Sequence, residues 1–226
     1  MAKKGGGWIT INGTHVLIDG SGKIVGGPAR LTGGGSSGSS KSISERNKPK
    51  VKSAEEFDKY VKENNLSTMY RGYSAKDRQQ LTEYKESHKN GTVLESGEKT
   101  SALGKGVYFS TSKSEADGYM RQRKHEKNER YGAITTAALD VGAKSGNYND
   151  LKIKKSKDES DLIEKAFNAK EQGDTKRYNE YKDKYYSVKN QTFEDYARLN
   201  GYHAIVETGT GYIVVLEQKA LVIRDD

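Results

Sequence analysis

Two short segments of the chain carry residue types that could grip a flat ligand bearing phosphate and ribose groups. The first is Tyr70-Arg71-Gly72, where a guanidinium can clamp a phosphate or ribose and a glycine lets a planar group approach the backbone. The second reads Gly-Lys-Gly-Val-Tyr-Phe-Ser-Thr-Ser at 104–112. Its hydroxyls suit a ribose, its backbone amides a phosphate and its ring a heterocycle. Taken singly, each segment also suits an ordinary surface turn or a capped strand–turn–helix.

Local patterns place each segment on a strand that is followed by a helix. The residues around Met69–Tyr73 are β-prone, and a polar helix is predicted from about Ala75 to Lys89. Gly104–Ser112 is typical of a turn that leads into a strand. Ser112-Lys-Ser-Glu115 matches a capping box, so we expect a second helix to begin there and to carry Tyr119.

The rest of the second half alternates helices with strands, which favours an α+β fold. A further capping box, Ser53-Ala-Glu-Glu56, opens the first helix of this region. The last three strands follow one another closely and predict a terminal meander, with a hairpin at 208–211. The remaining expected elements are a strand at 131–141, lysine-rich helix at 151–187, a short helix at 192–200 capped by Gly201, and strands at 203–207, 212–216 and 220–223.

The N-terminal region has a different composition. Residues 8–12 and 15–18 have strand composition, and the turn residues at 19–22 follow them. Residues 33–40 are nearly all glycine and serine, which is typical of a flexible linker. The sequence therefore predicts a β-hairpin module at 1–32, a Gly/Ser/Lys-rich linker at 33–52 and the main domain at 53–226.

The amino-acid composition excludes several kinds of functional site. The 226 residues include no cysteine, which excludes disulfides, cysteine nucleophiles and thiolate metal sites and fits a reducing cytoplasm. No apolar run approaches the ~20 residues that span a bilayer, so no membrane partner is expected. We expect no metal site, because the four histidines lack a ligand spacing. The net charge of +8 attracts phosphates or acidic partners, although mixed acids and lysines are also typical of a solvated surface.

Together, the two segments resemble the ADP-ribosyltransferase superfamily. The run at 104–109, with Tyr119 eleven residues beyond Tyr108, is similar to the nicotinamide-pocket segment of the poly(ADP-ribose) polymerase branch. Tyr70–Gly72 and Ser110–Ser112 look more like the bacterial-toxin branch. The resemblance implies a split β-sheet core with flanking helices and NAD as the substrate, with no metal. ADP-ribose would pass to an acceptor as nicotinamide leaves through an oxocarbenium-like state.

The resemblance also implies a role for each matching residue. Arg71 would hold the ribose or phosphates of NAD, and Gly72 would pair its backbone with the nicotinamide amide. Tyr108 and Tyr119 would enclose the nicotinamide ring. The three hydroxyl residues would support the pocket and the strand–helix turn: Ser110, Thr111 and Ser112.

One part of the family pattern is missing. Both branches place a glutamate on or just before the late strand, which here reads Tyr-Ile-Val-Val-Leu-Glu at 212–217. That carboxylate would stabilise positive charge on the ribose. Gly211 occupies its place, so the candidates are Glu207 and Glu217, of which we slightly favour Glu217.

The N-terminal run at 7–19, with Gly-Gly-Pro at 26–28, resembles a short module of tailed-phage structural and head-associated proteins. This implies a phage-encoded enzyme that acts in the cytoplasm of the infected bacterium or is packaged in the virion. A host protein is the expected acceptor, and the phage capsid is a second expected contact. Two alternatives remain: a non-catalytic phage head-associated or interaction protein, and a basic nucleic-acid-binding protein, with nucleic acid the less favoured partner.

Overall fold

The N-terminal unit, Met1–Ser40, contains one small antiparallel sheet. The computed structural model describes strands at 7–11, 14–18 and 24–26, and then residues 48–93 and 103–226. β1 (Gly7–Ile11) pairs with β2 (Thr14–Ile18), as predicted, and β2 also pairs with β3 (Ile24–Gly26), whose three residues are too few for a sequence pattern. The turn predicted at 19–22 and residues 33–47 of the predicted linker lie outside the described residues.

The second unit, Lys41–Asp226, is mixed α and β, with one eight-stranded sheet, so the predicted α+β class is confirmed. Its strands are β4 (Lys50–Ser53), β5 (Thr68–Ala75), β6 (Val107–Ser110), β7 (Tyr131–Leu139), β8 (Ser145–Asn147), β9 (Ala204–Glu207), β10 (Tyr212–Val215) and β11 (Leu221–Asp225). They lie in the order β4-β11-β7-β5-β6-β10-β9-β8. The two edge strands run parallel to their neighbours: β4 pairs with β11 and β8 pairs with β9. The other neighbouring strands in this sheet are antiparallel.

Six α-helices occur in the described residues, and each begins at a polar cap. The helices are α1 (Ala54–Glu63), α2 (Arg78–Asn90), α3 (Lys113–Lys127), α4 (Tyr148–Glu171), α5 (Thr175–Lys189) and α6 (Phe193–Leu199). The predicted capping box at Ser53 forms in full, with both hydrogen bonds between Ser53 and Glu56. Helix α2 begins three residues later than predicted, because Ala75 still belongs to β5 and Asp77 provides the cap.

The predicted terminal meander is wrong. β9 and β10 form the expected hairpin, but β11 leaves β10 through a short 3₁₀ turn at Gln218–Ala220 and pairs with β7 and β4 instead. The backbone groups on both sides of β10 are hydrogen-bonded, to β6 and to β9, so β11 cannot pair with β10. β4 also takes up the last three residues, 50–52, of the segment predicted as linker, because the edge of β11 pairs with them.

Two groups of helices cover one face of the sheet. Helices α1 and α3 pack on the β11-β7-β5 side, where Phe57 of α1 contacts Ala138 and Val222. On the β10-β9 side, Leu151 of α4 and Ala197 of α6 pack with Ile205, Val214 and Leu216. Strand β6 lies between these two groups of helices. The opposite face carries Met69, Phe109 and Ile213 with the neighbouring core residues, and α2 packs there.

Helices α4 and α5 form an antiparallel hairpin whose turn contains Gly173, at φ 71°. Leu151 anchors α4 in the core, and α5 has no buried residue. The phenolic hydroxyl of Tyr196 on α6 donates to Asp158 of α4 at 2.6 Å and ties the hairpin to the domain. None of the described helices is long and apolar enough to cross a membrane.

Candidate functional site

A row of paired polar residues crosses five neighbouring strands. Direct pairing links them in strand order, and directly paired residues project from the same face of a sheet. Neighbouring strands lie about 5 Å apart, so the Cα atoms of Ser110 and Glu207, two strands apart, are separated by roughly 10 Å. We call these residues the polar row: Thr136 (β7), Tyr70 (β5), Ser110 (β6), Tyr212 (β10) and Glu207 (β9).

Ser110 is buried in this row and holds the carboxylate of Glu115, a residue without a predicted role in the site. Its Oγ donates to Oε2 of Glu115 at 2.6 Å and accepts from the backbone N–H of Ser112 at 3.0 Å. The backbone N–H of Glu115 donates to Oγ of Ser112, so α3 is capped as predicted. Only half of the predicted capping box forms, because the Ser112 N–H is bonded to Ser110. The carboxylate of Glu115 therefore reaches β6 instead of the cap.

Gly211 faces the end of β6 and leaves no room for a side chain. The backbone N–H of Thr111 donates to the Gly211 carbonyl at 3.0 Å, and Gly211 has φ 72°, in the left-handed region. A Cβ at this position would lie 2.5 Å from Oγ1 of Thr111. The absence of a glutamate at 211 therefore has a steric cause in this fold.

The two acids proposed as substitutes lie at opposite ends of β10. Glu207 belongs to the polar row, and Oγ1 of Thr210 donates to its Oε2 at 2.6 Å. Glu217 follows the far end of β10 and forms an ion pair with Lys219 at 2.6 Å. The structure thus places Glu207, and not the slightly favoured Glu217, at the Ser110 end of the sheet.

Arg71 lies where the sheet divides. Tyr70 and Ser110 form the single recorded pair between β5 and β6, and beyond it the strands diverge. In this gap, Nη1 of Arg71 donates to the carbonyl of Tyr108 at 2.9 Å. Its Nε is buried and has no hydrogen-bond partner in the described residues. The structure therefore brings the two predicted segments together, with a cation between them.

The electrostatic surroundings of Arg71 contain tyrosine hydroxyls. Burial lowers the pKa of Arg71, and the hydroxyls of Tyr119 and Tyr73 oppose this shift. The ordinary pKa of arginine is high enough that the side chain keeps its charge. A buried guanidinium is costly without an anion beside it. The position is therefore suited to an anionic ligand.

Gly72 has a packing role in the structure. A Cβ there would overlap the carbonyl oxygen of Ala116 and lie 3.0 Å from Cβ of Met120, both on α3. Gly132, on neighbouring β7, likewise has no space for a Cβ, because the side chain of Met120 fills it. These glycines allow α3 to lie close to the sheet. The side of Gly72 that was expected to receive a flat ligand is occupied by the helix.

The two tyrosines expected to enclose a ring have different environments. Tyr108 packs partly against the Val214 core cluster, and its hydroxyl donates to the carbonyl of Gly104 at 2.5 Å. Tyr119 is 54% exposed on α3, with the guanidinium of Arg123 5.8 Å from its ring centroid. Both lie on the face that carries the polar row. Tyr119 is the more accessible stacking surface.

Two of the four histidines, His88 and His203, have structural roles. His88 lies in the core on the opposite face, stacks on Tyr73 with 4.9 Å between ring centroids, and donates from Nδ1 to the Tyr84 carbonyl. Burial lowers the pKa of His88 to about 4, and the charge of Arg71 adds to this effect. Nδ1 of His203 accepts from the backbone N–H of Lys144. Within residues 48–93 and 103–226, no group of three or more potential ligand side chains could hold a metal ion.

Comparisons with protein-family models, with curated proteins and with solved structures found no match to this chain.

Proposed function

We propose that this chain is an NAD-dependent ADP-ribosyltransferase, whose core is the split sheet of that superfamily. It would transfer ADP-ribose from NAD to an acceptor and release nicotinamide. The observation that carries this proposal is the position of Arg71. A cation without an acidic partner among the described residues lies in the gap between two half-sheets, one residue beyond the Tyr70–Ser110 pair and within electrostatic range of an exposed tyrosine.

The residues around the gap fit parts of such a substrate. Arg71 offers a buried N–H to a phosphate or ribose oxygen, and charge-assisted bonds of this kind are strong. Tyr119 offers an exposed ring for stacking. Gly72 and Tyr108 support the proposal less, since helix α3 covers one and the hydroxyl of the other is bonded to Gly104.

The partners are part of the same proposal. A host protein is the acceptor, in the cytoplasm of an infected bacterium, and the N-terminal module provides contact with a phage capsid or packaging in the virion. Nucleic acid stays the less favoured partner, because arginines on α3 are paired with acids, Arg121 with Asp117 and Arg123 with Glu126.

A second candidate is a binding protein that kept this fold without catalysis. Gly211 favours it, because the left-handed backbone and the hydroxyl of Thr111 disfavour, at this position, the glutamate that the family pattern requires. Such a protein would bind NAD or a related dinucleotide and leave its glycosidic bond intact.

The deciding experiment measures nicotinamide release from NAD by chromatography, with and without bacterial lysate. We expect release by the wild-type chain and a loss of at least about 100-fold in Arg71→Met, from the cost of removing a charged clamp. Arg177→Met, at an exposed position on α5, is the matched control and should keep full activity. Tight NAD binding without nicotinamide release would favour the second candidate, and neither binding nor release would defeat both.

A further inference from the structure

Breaking the bond between nicotinamide and ribose places positive charge on the ribose, and a nearby carboxylate stabilises this charge. The position just before the late strand carries no carboxylate, because it is Gly211, where a Cβ would lie 2.5 Å from Oγ1 of Thr111. We infer that Glu115, at the beginning of α3, supplies it. This inference rests on the proposed function, and it moves the charge-stabilising acid from the late strand to the helix that follows β6.

The carboxylate of Glu115 is both held and accessible. Ser110, only 5% exposed, donates to Oε2 at 2.6 Å and is itself fixed by the N–H of Ser112. Glu115 nevertheless remains a solvent-exposed residue. A buried hydroxyl thus orients a carboxylate that a ligand can reach, and it leaves that carboxylate the capacity to accept further bonds.

Helix geometry places Glu115 beside a second candidate binding group. Residues four apart lie on the same side of a helix, so Glu115, Tyr119 and Arg123 form one stripe on α3. Tyr119 of this stripe acts electrostatically on Arg71 in the gap of the sheet. The acid and the exposed ring therefore lie on the face covered by α3, whereas Arg71, in line with Met69 and Tyr73 on β5, enters the gap from the opposite face.

The competing acids are less well placed. Glu207 is two strands from Ser110 and is bonded to Thr210 in the β9–β10 turn. Glu217 lies at the far end of β10, paired with Lys219. Of these three acids, Glu115 alone has its carboxylate on Ser110, which lies on the strand beside β5.

With water as the acceptor, the reaction is hydrolysis of the bond between nicotinamide and ribose in NAD. The bond from ribose C1′ to the nicotinamide nitrogen breaks, and its electron pair leaves with the nitrogen, which neutralises the pyridinium charge. A water oxygen bonds to C1′ and releases one proton to solvent, so NAD and water yield ADP-ribose, nicotinamide and a proton. Glu115 stays ionised throughout and offsets the charge that develops on the ribose.

Glu115→Gln tests the inference, because the amide oxygen can still accept from Ser110 while the charge is lost. We expect kcat for nicotinamide release to fall by about 100-fold or more, as for loss of other charge-stabilising groups. NAD affinity, measured by titration calorimetry, should change by less than about threefold, since the charge acts mainly in the transition state. Glu126→Gln, on the same helix and half-exposed, is the control and should keep full activity.

Ser110→Ala provides a second measurement that leaves the acid in place. Freed from its hydroxyl partner, Glu115 should hold its position less well, and kcat should fall by about tenfold, the equivalent of one ordinary hydrogen bond. Full activity of Glu115→Gln beside an active wild type, or a loss of NAD binding as large as the loss of rate, overturns the inference and leaves the proposed function standing. A wild type that releases no nicotinamide defeats both. Loss of activity in Glu207→Gln alone would transfer the role to Glu207.

Discussion

The side chain of Arg71 crosses from β5 to β6 and donates to the backbone carbonyl of Tyr108 at 2.9 Å. This bond spans the place where the two strands no longer pair with each other. The guanidinium therefore connects β5 to β6 where backbone hydrogen bonds between them are missing. Its buried Nε has no hydrogen-bond partner in the described residues.

Arg71→Met should separate stability from ligand binding. A methionine keeps the apolar stem and removes a buried charge, and such replacements are often neutral or stabilising. We expect the free energy of unfolding in urea to change by less than about 1 kcal/mol, or to rise, while NAD binding is lost. A decrease of several kcal/mol in the free energy of unfolding would mean that Arg71 serves to bond Tyr108 and stabilise the fold, and not to bind a ligand.

Gly72→Ala should destabilise the protein by about 1–3 kcal/mol, the usual cost of overpacking, because the new methyl group meets the backbone of α3. The matched control is Gly118→Ala on the exposed side of the same helix, where a Cβ meets nothing within 4 Å. That change should stabilise by about 0.5–1 kcal/mol, since alanine is the better helix former. Urea unfolding measures both variants, and equal effects would contradict the packing role of Gly72.

His88 should make stability depend on pH between about 4 and 6.5. Its pKa is lowered to about 4 in the fold, against an ordinary value near 6.5, so the unfolded chain binds the extra proton in this window. Stability should therefore be highest above pH 6.5 and fall as the pH drops, by up to about 3 kcal/mol at pH 4. His88→Gln should flatten this part of the pH profile of urea midpoints, and His125→Gln, at an exposed position, should leave it as in the wild type. A wild-type slope retained in His88→Gln would assign the effect to other groups.

Tyr196→Phe should loosen the hairpin α4–α5 from the domain. The variant removes the hydroxyl that donates to Asp158 at 2.6 Å and keeps the buried ring. Hydrogen bonds to charged groups contribute about 1.5–3 kcal/mol, so we expect a loss of this size in thermal unfolding. Hydrogen exchange should become faster in α4 while β5 and β7 keep their protection. Unchanged exchange in α4 would show that other contacts hold the hairpin, among them the packing of Leu151 and the bond from Lys154 to Asn200.

Local features of the fold could be predicted from the sequence. The serine at 53 and the serine at 112 mark helix starts because a cap depends on residues within one turn. The hairpin between β9 and β10 follows from its glycines in the same way. The partner of β11 could not be predicted, because it depends on which strand edges remain free once the other strands have paired.

The candidate site shows the same limit. A glycine at position 72 indicates that another group approaches the backbone closely. The residue type does not show whether that group is a ligand or a helix, and in this structure it is α3. Glu115 was recognised as the last residue of a capping box. Its bond to Ser110 could not be foreseen, because the outcome depends on which acceptor the N–H of Ser112 finds. The arrangement Ser-Thr-Ser followed three residues later by an acid is the signal that could have pointed to it.

The single pair between β5 and β6 divides the sheet into two blocks of four strands, β4-β11-β7-β5 and β6-β10-β9-β8. Within each block the strands pair over several residues, whereas backbone pairing between the blocks is limited to one residue pair, supplemented by the arginine bond and by the core that Met69 shares with Phe109 and Ile213. Widening the gap between the blocks would therefore break few main-chain bonds, and the resistance to it comes from side-chain packing.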